Sequence, residues 1–110
     1  MEILNVSRGY GKSTRLVIKA VETGYPIIVG TESMKQYLCD LAERITDKEV
    51  KIYSAYEFAD IDAMKRDKNI LIDELPLVLS ILLNTNVEMA TMTSGSLERY
   101  GIEQYKKRLK

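Results

Sequence analysis

Short runs of Ile, Leu and Val alternate with amphipathic stretches along this chain, and that alternation limits its fold more than any other feature. "EILNV" (2–6), "YPIIVG" (25–30), "VKIYS" (50–54), "NILID" (69–73) and "VEMATMT" (87–93) read as strands. Pro26 near the start of the second is tolerated there. "NILID" is apolar without a break, as in a strand buried in the middle of a parallel sheet. Between these runs, "KSTRLVIKAVET" (12–23) sets Leu16, Val17, Ala20 and Val21 on one helical face, and Gly24 stands where a helix C′ residue belongs. Met34, Tyr37, Leu38, Leu41, Ala42 and Ile45 repeat at amphipathic spacing, with Thr31 or Ser33 placed to cap that helix. Phe58, Ile61 and Met64 fall three apart in a short helix or turn. Pro76 suits the first turn of a helix through "LPLVLSILLN", and "SLERYGIEQYKKRLK" reads as a last helix weakened at Gly101.

Strands alternating with helices predict an α/β fold: about five mostly parallel strands with helices on both faces. The 110 residues allow one small domain, able to bury roughly 65% of its unfolded surface. Its core would span about 2–95, with a C-terminal helix and basic tail over 96–110. No repeat or linker interrupts it.

Composition removes several classes of function. Lys+Arg and Asp+Glu are 16 each, so net charge supports neither DNA nor membrane as a partner, although "KKRLK" ends the chain in a basic cluster. There is no histidine and one cysteine, which removes the commonest general base and any ordinary zinc site. Cys39 lies among apolar helix positions as a small hydrophobe. One cysteine, no signal-peptide pattern and no apolar run of spanning length predict a cytoplasmic protein, in the host cytoplasm if phage-encoded.

Two segments carry chemistry. "NVSRGYGKSTRL" (5–16) contains Gly9-x-Gly11-Lys12-Ser13 between a predicted strand and a predicted helix. Successive N–H groups of such a loop, with the positive end of the helix dipole behind them, cradle phosphates. The full pattern G-x-x-x-x-G-K-[ST] asks for glycine at position 6, where Val6 stands. In a phosphate loop Lys12 reaches the β- and γ-phosphates, Ser13 puts its hydroxyl on Mg²⁺, and Thr14 lies near the α-phosphate. The bland alternative is a Gly-rich turn. "NILIDEL" ends an apolar strand in Asp73 and Glu74, where open α/β sheets bind ligands. Asp73 would hold Mg²⁺ through water and Glu74 would orient and deprotonate the attacking water; alone, the pair reads equally as solvated acids in a turn.

Together, "RGYGKST" and "ILIDE" resemble the P-loop ATPases that place a glutamate directly after the Walker B aspartate, and most of all the ATPase domains of phage large terminases and related helicase-like motors. Many of these lack the first Walker A glycine and carry an arginine before G-x-G-K-[ST], where Arg8 stands. The resemblance implies a central first strand next to the Walker B strand, ATP or GTP with Mg²⁺ as cofactors, and Gly9, Tyr10, Gly11, Lys12, Ser13 and Thr14 around the nucleotide. It gives catalytic roles to Lys12, Arg8 and Glu74, metal ligation to Ser13 and Asp73, and a sensor role to Thr91 or Thr93, with Ser94 beside them. Terminase ATPase domains are about twice as long as this chain, and the complete proteins add a nuclease.

Three functions are compatible with these residues. The first is a minimal motor-like ATPase, phage-encoded or cellular, acting on DNA or a protein. The second is an accessory or counter-defence protein of the same fold with little turnover, using the 75–83 helix to bind a protein or a second copy of itself. The third is a small-molecule kinase, disfavoured because no arginine-rich lid is evident and the Asp73-Glu74 pair suits hydrolysis.

Overall fold

The computed structural model describes residues 1, 3, 4 and 11–91. Helix α1 (Lys12–Thr23) leads into strand β1 (Ile27–Val29), followed by α2 (Glu32–Ile45), β2 (Ile52–Ser54), α3 (Ala55–Asp60), a 3₁₀ turn (Ala63–Lys65), β3 (Leu71–Ile72) and α4 (Leu75–Leu83). The sheet order is β2-β1-β3 and both pairings are parallel, Ile27 lying opposite Ile52 on one side and Leu71 on the other.

Side chains alternate across a strand, and in β1 that alternation builds two cores. Ile27 and Val29 join Val17 and Ala20 of α1, Leu38 and Ala42 of α2, and Ile52. Ile28 joins Ala55 and Phe58 of α3 and Val78 of α4 on the other face. The result is a three-layer α/β/α domain. The chain passes from β1 to β2 over the α2 face and returns past β1 to β3 over the α3 face. Reversing direction while changing face keeps both crossovers the same hand, as parallel connections require.

Local signals explain the helix limits. Gly24 ends α1 with φ 77°, its N–H bonding to the Ala20 carbonyl. Thr31, not Ser33, caps α2 by accepting from the Met34 N–H at 3.2 Å. Ser54 opens α3 through a capping box, accepting from the Glu57 N–H while the Glu57 carboxylate accepts from the Ser54 N–H. Pro76 sits in the first turn of α4.

Two expectations change. Among the described residues the sheet has three strands, not about five: Val87–Thr91 form no ladder, and Met89 is 85% exposed. In "EILNV", Ile3 and Leu4 stand in no strand and are 38% and 41% exposed, while its other residues, the remainder of "VEMATMT" and the 96–110 helix with its basic tail lie outside the described residues. The expected burial of "NILID" is also corrected. The central, fully buried strand is β1, whereas Leu71 and Ile72 are half-buried because β3 pairs only with β1 among the described residues. The short helix or turn expected through Phe58, Ile61 and Met64 is both of these. Helix α3 stops at Asp60 and Met64 falls in the 3₁₀ turn, 91% exposed.

Candidate functional site

At the carboxyl ends of the strands the chain leaves β1 toward the α2 face and leaves β3 toward the α4 face. Parallel strands that part in this way open a crevice between their ends. Gly30 follows β1 at its edge, and α4 leans over it: a Cβ there would stand 2.5 Å from Leu77 Cδ2 and 2.8 Å from Leu77 Cγ. Only a residue without a side chain lets α4 come this close.

Asp73 and Glu74 occupy the turn from β3 into α4. The Asp73 N–H still belongs to the sheet, donating to the Ile28 carbonyl at 3.0 Å. Glu74 turns sharply, with φ 60° and ψ 67°, a left-handed conformation that non-glycine residues adopt at a cost. Its carbonyl accepts from the Val78 N–H, but its side chain makes no cap on α4. The carboxylate is left to face elsewhere.

It faces the start of α1. Lys12 Nζ lies 3.8 Å from Glu74 Oε1, and Ser13 Oγ donates to Asp73 Oδ2 at 3.5 Å across 60 positions of sequence. Helix α1 begins from Gly11 at φ 70°, without a side-chain cap and without an acidic residue in its first turn. Its first N–H groups and the positive end of its dipole are therefore not neutralised by the helix itself. Thr14 is half-buried in that turn. Burial, and after it the neighbouring Glu74 carboxylate, raise Asp73 above the ordinary carboxylate value; the Ser13 hydroxyl and the Lys12 ammonium pull the other way without cancelling this.

The structure thus brings Gly11, Lys12, Ser13, Asp73 and Glu74 to one edge of the sheet. Thr91 is exposed, outside any helix or strand, and has no hydrogen bond to this cluster among the described residues. Arg8, Gly9, Tyr10, Thr93 and Ser94 lie outside the described residues. Among those described, no group of three or more His, Cys, Asp or Glu side chains gathers to hold a metal. Cys39 is half-buried and packs on the α1/α2 core as a small hydrophobe.

Other side chains that tie the domain together were not singled out by the sequence. Lys35 of α2 bonds both carboxylate oxygens of Glu57, at 2.8 and 2.9 Å, and so ties a helix on one face to a helix on the other. Serine three residues before glutamate at 54–57 signals the capping box, but nothing in sequence pairs Lys35 with Glu57. Arg66 donates to the Ala59 and Ile61 carbonyls, both at 3.0 Å, and lies 5.1 Å from the Phe58 ring centroid. Its guanidinium closes the C-terminal end of α3.

Fold and site together define a small three-layer α/β domain with a parallel sheet and a mixed cluster of cation, hydroxyl and carboxylates at its carboxyl edge. No protein-family model, curated protein or solved structure matches the chain. No helix of the described residues is long and apolar enough to cross a membrane.

Proposed function

We propose that this domain binds a nucleoside triphosphate, ATP or GTP, with Mg²⁺ and hydrolyses it, as a minimal relative in kind of the motor-like P-loop ATPases. One observation carries the reading: Lys12 and Ser13, from a glycine-rich segment, meet Glu74 and Asp73, from an apolar strand end. A solvated turn and a chance glycine cluster have no reason to converge.

The donor set suits magnesium. A hydroxyl and one carboxylate are hard oxygen ligands, and Mg²⁺ ordinarily takes one or two protein ligands with waters and substrate phosphates. Ser13 and Asp73 would hold it, and when bound it neutralises phosphate charge. Lys12 and the N–H groups at the start of α1 bind the phosphates and hold the terminal one in place. Glu74 accepts the proton of the attacking water as its oxygen bonds to phosphorus and the bridging oxygen departs with the diphosphate. Positioning and charge stabilisation supply most of the rate in such transfers. Arg8 would add a cation next to the loop.

Binding and turnover of ATP and GTP, measured with Mg²⁺ and with and without DNA, test this. Lys12→Ala is expected to abolish binding while the circular dichroism spectrum stays unchanged, because the side chain lies at a helix start and not in a core. Glu74→Gln is expected to keep binding and lose about 10²–10⁴-fold in turnover, the span typical of general-base removal. Normal binding by Lys12→Ala would refute the phosphate loop, and undiminished turnover by Glu74→Gln would refute the base. A second reading, an interaction protein with little turnover, is favoured by α4, where Leu77 and Leu82 are each 39% and Leu83 62% exposed. Binding without hydrolysis would select it.

A further inference from the structure

The Lys12–Glu74 contact joins the residue assigned to phosphate with the residue assigned to water. We propose that this pair is a resting latch: a polyphosphate must take Lys12 from Glu74 to bind, so phosphate capture and release of the glutamate carboxylate are one event. The inference rests on the phosphate-loop reading and adds a regulatory contact to it.

Three features make the pair a latch and not a structural bridge. First, Glu74 performs no other side-chain task among the described residues. It does not cap α4, so losing Lys12 leaves that helix unchanged. Second, the left-handed backbone at Glu74 turns its side chain away from the helix it precedes and toward α1. Third, the contact is long and wet. Its separation is 3.8 Å and the side chains are 28% and 53% exposed, the regime in which an ion pair contributes little and salt screens it. The companion Ser13–Asp73 bond, at 3.5 Å, is at the limit of hydrogen-bond length. Both contacts hold the two segments in register yet yield to a ligand carrying several charges.

An exposed pair of this kind shifts an equilibrium by up to about fivefold. Because the latch and the ligand compete for the same ammonium, removing the latch tightens binding by that factor. The probe is inorganic triphosphate with a chelator present, so that metal ligation by Ser13 and Asp73 does not enter. Calorimetric titration of the parent, Glu74→Gln and Glu74→Asp is expected to show both variants binding about two- to fivefold more tightly. The gain should shrink toward none in about 1 M salt.

Glu74→Asp is the decisive variant, because it keeps the charge but draws the carboxylate back beyond contact with Lys12. Tightening by Glu74→Gln alone would reflect only a weaker repulsive field and would overturn the latch. Equal binding by all three proteins would overturn it too, with the phosphate loop intact. If none of the three binds triphosphate or magnesium-ATP, the phosphate-loop reading falls, and the latch with it.

Discussion

At the scale of single residues, two carboxylates near the carboxyl edge of the sheet are shifted in opposite directions. Asp73 is held above its ordinary value by burial, whereas Glu57 is pulled down to about 2, first by the hydrogen bond from Lys35 and then by the Ser54 N–H. The same ion pair raises Lys35. A depressed carboxylate stabilises the fold above its unfolded value, here 4.5, and that contribution is lost as pH falls from there toward about 2. The Glu57 side chain is 40% exposed, so solvent screening reduces the pair to about 1 kcal/mol. Glu57→Gln is the informative variant, since a glutamine still completes the capping box and only the charge is removed. Denaturant titrations should give a deficit of about 1 kcal/mol at neutral pH that closes between pH 4.5 and 2. A deficit constant across that range would show that the pair has no electrostatic share.

At the scale of elements, α4 comes close to the end of β1 at Gly30, beneath Leu77. Gly30→Ala places a methyl group inside van der Waals contact with Leu77, and overpacking of this kind costs about 1–3 kcal/mol. The double variant Gly30→Ala/Leu77→Ala should recover most of the loss, because Leu77 is partly exposed; no recovery would mean that the backbone and not Leu77 sets the limit. The helices were legible from sequence because their signals are local. Periodicity and caps gave α1 its residues 12–23 and narrowed the α2 cap to Thr31 or Ser33, of which the structure selects Thr31. The strands were legible only as apolar runs. A strand of two or three residues exists through its neighbour, and pairing is a long-range fact: "YPIIVG" and "NILID" look equally apolar, yet β1 has partners on both sides and β3 on one. In the site, residue types and spacing identified Lys12, Ser13, Asp73 and Glu74, while their pairing, the turn at Glu74 and the Lys35–Glu57 bridge came only from the structure.

At the scale of the whole molecule, α4 is apolar from Leu75 to Leu83 except for Ser80, yet only Val78 is fully buried. A helix apolar on all sides needs cover on all sides. Self-association would supply it; the alternative is a monomer covered by the C-terminal segment, which lies outside the described residues. Light scattering over a concentration series, with and without nucleotide and Mg²⁺, is expected to show a mass above the monomer. Leu83→Lys should return it to the monomer mass, and a monomer in every condition would exclude the association.

The Lys35–Glu57 bridge has a consequence for how the domain opens. It fastens α2, β2 and α3 around the fully buried β1, so amide hydrogens there should exchange only when the whole domain unfolds. The β3–α4 half has a two-residue strand, a half-buried face and a helix start without a side-chain cap, and its amides should exchange through smaller openings. Lys12 and Ser13 stand on α1, which packs against the slow side, and Asp73 and Glu74 stand on the fast one. A ligand held by all four would slow exchange chiefly in β3 and α4, making the weaker half of the domain the part that registers occupancy.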